Sequence, residues 1–514
     1  MSSQPTEQDW HPSSLLAHDA LDSISNAKFT AQAGTDFYDR SPMSRRYALA
    51  GVACSSIVSC CCIIAGTVII SARGPSGMIQ ATATDLQIEM RNLALNLIVT
   101  LCTESIGFVH GISLRSALAS QSRLTFNTNL RLLTAAHGWR NPNGALLNGL
   151  MAVLLIISYT SVSLAASALY IVGLPLLVLG IALLLQIAIA LAGMQTVKIL
   201  TWSSSPFDLT AALVYHTQLA PASFRCMRGV SDLYIAGGSA RPSDAQPSAW
   251  HAHTSIRKVV VSLWGLVVVC AGWAARPRYR GRFFFTDVQT TYALEYRVTS
   301  SKGFNAQTWI LAFVNIAVIQ GVLTLGLHCS ELIADVIQNE RQWRCATTRK
   351  GLHTATNPLK GFLTNPLGLV LFIVKPVLHW MFGIAFQATY VIDIQYHPFT
   401  VMGSYTKMGV YQIVNLCIAL FIFSCVFTII ALHQPRGPQP ATYGHLQTLA
   451  NLVDEWSPVM WWGHKEDGIP YCHAGTSNHP LPDVKMDCVY AGTDVMSYSP
   501  ISGEVPAVEK AFLN

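Results

Sequence analysis

Val410-Tyr-Gln-Ile-Val-Asn-Leu-Cys-Ile-Ala-Leu-Phe-Ile-Phe-Ser-Cys-Val-Phe-Thr-Ile-Ile-Ala-Leu432 runs its whole length without an acidic or basic side chain. A helix of that length crosses the apolar layer of a bilayer, about 30 Å thick, at about 1.5 Å per residue, with every backbone amide satisfied inside the segment. Seven more stretches of this kind precede it, near residues 47–71, 93–114, 145–165, 171–194, 259–275, 309–327 and 367–390. They leave no room for a soluble domain of ordinary size between 47 and 432. The expected fold is therefore an all-α polytopic membrane helix bundle of eight transmembrane helices, followed by a small α+β cytosolic tail at 433–514. The stretch at 259–275 is short, and that at 367–390 contains Lys375 and Pro376. Six spans are the alternative if those two do not cross.

Composition agrees with the bilayer as solvent: 51% of the residues are hydrophobic and 12% charged, where a soluble domain carries about 25% charged residues. Residues 1–46 are polar, carry Pro5, Pro12 and Pro42, and read as a disordered cytosolic lead. With so long a polar segment ahead of it, the first span is expected to be an uncleaved helix and not a signal peptide. Basic residues set the orientation, because Lys and Arg are enriched in cytoplasmic loops. With both termini inside, the inside segments hold 23 Lys and Arg and the outside loops 9. Arg276, Arg278, Arg280 and Arg282 run against that trend, and a basic cluster at a bilayer edge reads first as a contact with lipid headgroups. The membrane itself, plasma membrane or endomembrane, is left open.

All 13 cysteines fall in spans or in inside segments, so no structural disulfide is expected, and no Asn-x-Ser/Thr acceptor occurs. The Cys60-Cys61-Cys62 run lies mid-span among small residues and reads as helix packing. Residues 230–256, rich in Gly, Ser, Pro and Ala, read as a flexible linker inside a cytosolic loop. No internal repeat or pair of interrupted helices marks a transporter fold.

Several motifs are distinctive. Thr100-Leu-Cys-Thr-Glu-Ser-Ile-Gly-Phe-Val-His110, Arg123-Leu-Thr-Phe-Asn-Thr-Asn-Leu-Arg-Leu-Leu-Thr134 and Thr201-Trp-Ser-Ser-Ser-Pro206 are followed by Gly326-Leu-His-Cys-Ser-Glu331, Val374-Lys-Pro-Val-Leu-His-Trp380 and Gly444-His-Leu-Gln-Thr-Leu-Ala-Asn-Leu-Val-Asp-Glu-Trp456. In these the chain resembles a family of uncharacterised fungal multi-pass membrane proteins, over most of its length after the first span. The resemblance implies an architecture and carries no activity.

Ionisable groups inside spans are the physical pointers to function, because a charge at the bilayer centre costs at least about 2.5–3.5 kcal/mol unless paired, solvated or neutralised. Glu104 shares a helical face with Asn96 and Thr100, while His110 lies well round the barrel. A proton or cation relay is the sharp reading of Glu104, and a protonated Glu bonded to a neighbouring helix the plain one. Lys375 and His379 share a face in the seventh segment, with Pro376 between them. Lys375 either pairs with Glu104 or, the preferred expectation, snorkels to the inner surface. Trp309 and Trp380 suit an interface or bundle packing. His328, Glu331 and Asp335 recur at helical spacing after the sixth span, where a metal site competes with a solvated helix extension, the expectation adopted.

In the tail, Pro435, Pro438 and Pro440 read as a stiff connector leading away from the membrane. Leu446, Leu449, Leu452, Val453 and Trp456 then suggest an amphipathic helix of about three turns near 444–456. Leu446, Leu449, Val453, Trp456, Trp461 and Trp462 are the candidate surface for a cytosolic protein partner, and Asp454 and Glu455 suit a basic one. The segment Val484–Tyr490 alternates like a strand. His445, His464, Cys472, His473, His479 and Cys488 lack zinc-site spacing, so neither metal nor other cofactor is expected. No glycine-rich phosphate loop, Gly-x-Ser-x-Gly or His-Glu-x-x-His occurs, which points away from an enzyme, and the +6 charge needs no nucleic-acid partner. The leading functional expectation is a non-enzymatic scaffold, sensor or trafficking component acting through loops and tail. The alternative is a transporter or channel with Glu104 and the Lys375/His379 segment lining a polar path, and Glu104, His110, Lys375 and His379 are the candidate intramembrane polar site.

Overall fold

The computed structural model describes residues 42–491 except 75–76, 81–83, 130, 168–169, 233–234, 236–237, 276–290, 297–305, 355–364 and 394–399. The Arg276–Arg282 cluster and most of the 1–46 lead lie outside the described residues. The end of that lead is already helical, because α1 starts at Pro42.

The described chain is mostly helical, and eight of its helices are long and apolar enough to cross a membrane. They are α1 (Pro42–Arg73), α2 (Asp85–Ser120), α3 (Ala145–Ala165), α4 (Gly173–Gln195), α6 (Thr254–Ala275), α7 (Ala306–Cys329), α9 (Pro366–Ala385) and α10 (Val410–Leu432). Shorter helices are α5 (Pro206–Tyr215), α8 (Glu331–Arg344), which continues α7 after Ser330, and α11 (Leu446–Leu452). The two doubtful stretches form helices of 22 and 20 residues, α6 and α9, so eight candidates stand by length and composition. α9 opens where Asn365 accepts a hydrogen bond from the Gly368 amide, ahead of Pro366, and α2 opens with a capping box between Thr84 and Gln87. Each device satisfies amides that the first turn leaves bare. Outward faces carry side chains such as Ile64, Val268, Val318 and Ile429, each more than half exposed, as helices facing lipid require.

The bundle is built as two halves. Buried residues of α1, α2, α3 and α4 form one apolar core, from Val52 through Ile106 and Tyr159 to Leu183. Buried residues of α6, α7, α8, α9 and α10 form another, from Leu263 through Ile316 and Leu378 to Phe427. In the first half α1 and α4 approach closely: a methyl on Gly66 would meet the Leu177 amide nitrogen at 2.7 Å, and one on Gly180 the Ser59 carbonyl at 2.8 Å. Ser59 Oγ donates to the Gly180 carbonyl at 2.7 Å. Small residues at this contact do what the sequence assigned to the cysteine run. Cys60 and Cys61 are exposed on the other face, because the packing stripe of α1 is Ser44, Ala48, Val52, Ser55, Ser59, Gly66 and Ile69.

On one side of the bundle the connections form small antiparallel sheets. β1 (Met78–Gln80), β2 (Ala166–Ser167) and β3 (Tyr170–Val172) make one, in order β1-β3-β2. β4 (Thr291–Tyr296), β6 (Phe386–Asp393) and β7 (Thr400–Gly409) make another, in order β4-β7-β6. The span expected at 367–390 therefore ends at Ala385, where the chain turns into β6.

On the opposite side the remaining connections and the tail build a module with its own core. Phe207, Trp343, Leu449, Val453, Trp456, Trp462 and Tyr490 are buried together. A third sheet, β5 (Leu352–His353), β8 (Val459–Glu466) and β9 (His473–Ser477), belongs to it. The proline-rich connector does not lead away. The Gly437 amide donates to the Asp244 carbonyl at 2.9 Å, Trp343 Nε1 to the Pro440 carbonyl at 2.7 Å, and Glu340 Oε2 accepts the Thr442 and Tyr443 amides at 2.8 Å each. Gly444 holds a left-handed φ of 75°, and a methyl there would strike Asn339 Nδ2 at 2.5 Å. Much of the stretch read as a flexible linker is packed as well: Val230 and Ala249 are buried, and the Gln246 side chain bonds the connector. The expected three-turn amphipathic helix is α11, seven residues long. Val484–Tyr490 makes no strand, since only Tyr490 bridges Ala240 and Cys472.

Candidate functional site

Opposite charges meet at the seam between the two halves. Lys375, on α9, is 2% exposed. Its Nζ donates to Glu104 Oε1 of α2 at 2.7 Å and also to Glu331 Oε1 at the start of α8. His328, at the end of α7, places Nδ1 2.9 Å from Glu331 Oε1 and 3.7 Å from Glu104 Oε1. An ammonium shared by two carboxylates offsets the cost of the cation and eases that of both anions, leaving the trio with one net negative charge. The snorkelling expectation for Lys375 is thus corrected, since its carbon stem is buried in the bundle and its head is held by both halves. The solvated-extension expectation is corrected for His328 and Glu331, because the turn at Ser330 carries them to the seam.

A second crossing lies beside the first. His379 stacks on Tyr159 of α3, with ring centroids 3.7 Å apart. The Tyr159 hydroxyl lies 3.0 Å from Thr100 Oγ1 and 3.4 Å from Thr103 Oγ1. The polar stripe of α2 therefore faces α3 and α9, and the Thr100 hydroxyl meets Tyr159 while donating to the Asn96 carbonyl at 2.8 Å. Nearer the helix ends, Trp380 Nε1 donates to Glu89 Oε2 at 2.9 Å, a bundle contact between α9 and α2. His110 is fully buried on α2, and neither of its ring nitrogens has a hydrogen-bond partner among the described residues. It is not part of the Lys375 cluster, which corrects its grouping with Glu104, Lys375 and His379 in one candidate polar site: it lies well round α2 from Glu104.

The cluster opens into a cavity of about 540 Å³ lined by Glu104, His328, Glu331, Asp335 and Lys375, and on the module side by Arg115, Asn127, Arg131, Ser203, Asn339 and Gln342. The Glu104 and Glu331 side chains are 28% and 27% exposed, and Asp335 is exposed as well. Arg115 is held in the wall, donating to Asn127 Oδ1 and the Ser203 carbonyl at 2.7 Å each. Arg131 enters differently. Its guanidinium lies flat on α2 at Gly107, where a methyl would collide with Nη1.

Glu104, His328 and Glu331 are the one group among the described residues whose side chains place three metal-ligating atoms within 4.8 Å of one another. Oxygen and imidazole donors in that number suit a divalent cation, but the Lys375 ammonium supplies the positive charge at this place. The tail histidines and cysteines are spread over several contacts: His445 caps α11, His464 meets Tyr490 and Asp467, Cys472 also meets Asp467 and neighbours Cys488, His473 meets Asp454 and His479 meets Ser477. Leu446, Leu449, Val453, Trp456 and Trp462 are buried in the chain's own interior, and Trp461 packs over Gly351. Asp454 accepts from Lys465, His473 and Thr476 of the same module, in place of the basic partner expected for it.

Comparison with known proteins finds no matching family model, no matching curated protein and no matching solved structure. The residues that sequence reasoning passed over are Tyr159, an aromatic in an apolar span, and Arg131, counted only as an inside-loop charge. Arg131 left one signal, the small residues Gly107 and Gly111 on α2, which leave space for a long side chain to lie against the helix.

Proposed function

We propose that this chain is a solute-handling membrane protein of the transporter or channel class, with the seam cavity as its polar path. The observation that carries this reading is the position of Glu104, Glu331 and Asp335 on a cavity between two helix halves. Carboxylates kept in a membrane bundle and exposed to an internal space mark ion or substrate pathways, and sites between packed halves are where small ligands are usually taken. Lys375 bridges the halves, so a ligand that competes for its carboxylates favours a different packing of one half against the other.

Under this reading the bias of basic residues puts the module and both termini in the cytosol, with the cavity mouth on that side. Proteoliposomes test it. A current or uptake elicited by jumps in pH, cation or small-solute concentration, present in the wild type and lost in Glu104→Gln at equal insertion, is the expected result. In parallel, the thiol introduced by Gln338→Cys, on the cavity wall, is expected to react with a membrane-impermeant maleimide, read at its own peptide by mass. An unreactive thiol in that variant together with silent proteoliposomes overturns the reading.

A second reading, a scaffold or sensor working through the loops and tail, draws on the separate core of the module. It predicts a partner for the module's outer surface, because the apolar residues first assigned to that contact are committed to the interior.

A further inference from the structure

Most charges on the cavity answer one another. Lys375 is shared by Glu104 and Glu331, and Arg115 is bound into the wall. Two charges of opposite sign are left over. Among the described residues no hydrogen bond or ion pair within 4.0 Å engages the Asp335 carboxylate or the Arg131 guanidinium, although both line the same space. They attract one another only at longer range, with no ion pair within 4.0 Å between them. An arginine that merely needed solvent would extend past the end of α2, whereas this one lies against the helix in a berth kept open by Gly107.

We propose that the cavity binds a small zwitterion, its anionic group on Arg131 and its cationic amine on Asp335. A guanidinium fork suits a carboxylate or phosphate held by two parallel hydrogen bonds, and a carboxylate suits an ammonium. A ligand with one charge alone would leave the other protein charge without a partner, which disfavours it. Two sources offer this chemistry: free amino acids, and the headgroup of phosphatidylethanolamine entering from the bilayer. Leu101 and Phe108, which also line the cavity, are among the exposed apolar residues of α2 and leave the second route open.

The inference rests on the solute-handling reading but is measured by binding, so the two fail separately. Purified full-length protein in detergent is melted with L-alanine, L-glutamine and L-lysine, and in matching arms with propylamine, propionate, phosphatidylethanolamine or phosphatidylglycerol. A ligand that binds only the folded state raises the melting temperature with concentration. The expected result is a rise with a free amino acid or with phosphatidylethanolamine, whichever is the source, and none with the compounds that carry a single charge. Asp335→Asn and Gly107→Ala are each expected to weaken that binding by about tenfold or more, with the unliganded melting temperature unchanged. Gly107→Ala only pushes the tip of a flexible side chain out of its berth, so it separates a lost site from a lost fold. Equal shifts with propylamine or propionate, or no shift with any zwitterion, overturn the proposal. If the Gln338→Cys variant is labelled in the cavity while no zwitterion binds, this inference falls and the solute-handling reading stands.

Discussion

Lys375 Nζ sits 2.7 Å from Glu104 Oε1 across 271 residues of sequence, and the same nitrogen reaches Glu331. One ammonium thus serves two carboxylates, so removing the cation and removing one anion are unequal changes. Lys375→Met leaves both carboxylates in the bundle without a counter-charge and is expected to cost about 3–5 kcal/mol. Glu104→Gln keeps the Lys375–Glu331 pair and is expected to cost clearly less. Thermal unfolding of the detergent-solubilised variants orders the two, and equal losses would show that Glu331 does not share the ammonium.

The Tyr159 ring and hydroxyl have separate duties. Tyr159→Phe keeps the stack on His379 and loses the contacts with Thr100 and Thr103, an expected loss of about 0.5–1.5 kcal/mol. Tyr159→Leu loses both and is expected to fall further. A double-mutant cycle with His379→Leu isolates the stacking share.

The α1–α4 contact is set by backbone atoms, which cannot step aside as a side-chain tip can. Gly66→Ala would drive a methyl to 2.7 Å from the Leu177 amide nitrogen, and overpacking of this kind costs about 1–3 kcal/mol. Gly265→Ala and Gly272→Ala meet nothing within 4 Å and are expected to be neutral or mildly stabilising, since alanine is the better helix former. A melting-temperature series on the three variants decides it.

The module carries its own pH dependence. Burial opposes protonation of His473, but its hydrogen bond to Asp454 and the neighbouring Cys226 outweigh this and raise its pKa from the ordinary 6.5 to about 9. Burial would lift the Asp454 carboxyl, yet His473, Lys465 and the Thr476 amide bring it down to about 2. The stabilisation from His473 is therefore complete below about pH 6.5 and is lost as the pH rises through about 9. That from Asp454 is present above its ordinary 3.8 and is lost as the pH falls through about 2. Lys465, the other cation on Asp454, also faces Glu455 at 3.6 Å. Chemical denaturation followed by tryptophan fluorescence is expected to show a decline between about pH 7 and 9 that Asp454→Asn flattens.

The spans were legible because a bilayer imposes one simple demand, an uninterrupted apolar run, and Val410–Leu432 meets it without ambiguity. The partner of Lys375 was not, because its depth in the segment fits snorkelling as well as pairing, and only packing brings Glu331 to it. Glu104 was marked by its cost in a span. Asp335 was marked only by its helical spacing with His328 and Glu331, and Arg131 not at all, because it lies in a stretch where charge is ordinary. The tail misled for a related reason: apolar residues at helical spacing state that a face is covered without stating by what. Leu449 and Val453 are covered by the loops of their own chain.

The module joins segments that leave the ribosome far apart in time. Phe207 is made well before Leu449, and at about 5–20 residues per second the wait between them is on the order of tens of seconds. During that interval Phe207 and Trp343 have no tail to bury them, although most of the spans have been synthesised. A chain that stops after Leu432 would retain all eight helices that are long and apolar enough to cross a membrane and still present an unsealed apolar face, the kind of surface on which cellular quality control acts. The stretch around Leu449 is then the point at which a sealed module becomes distinguishable from an unsealed one.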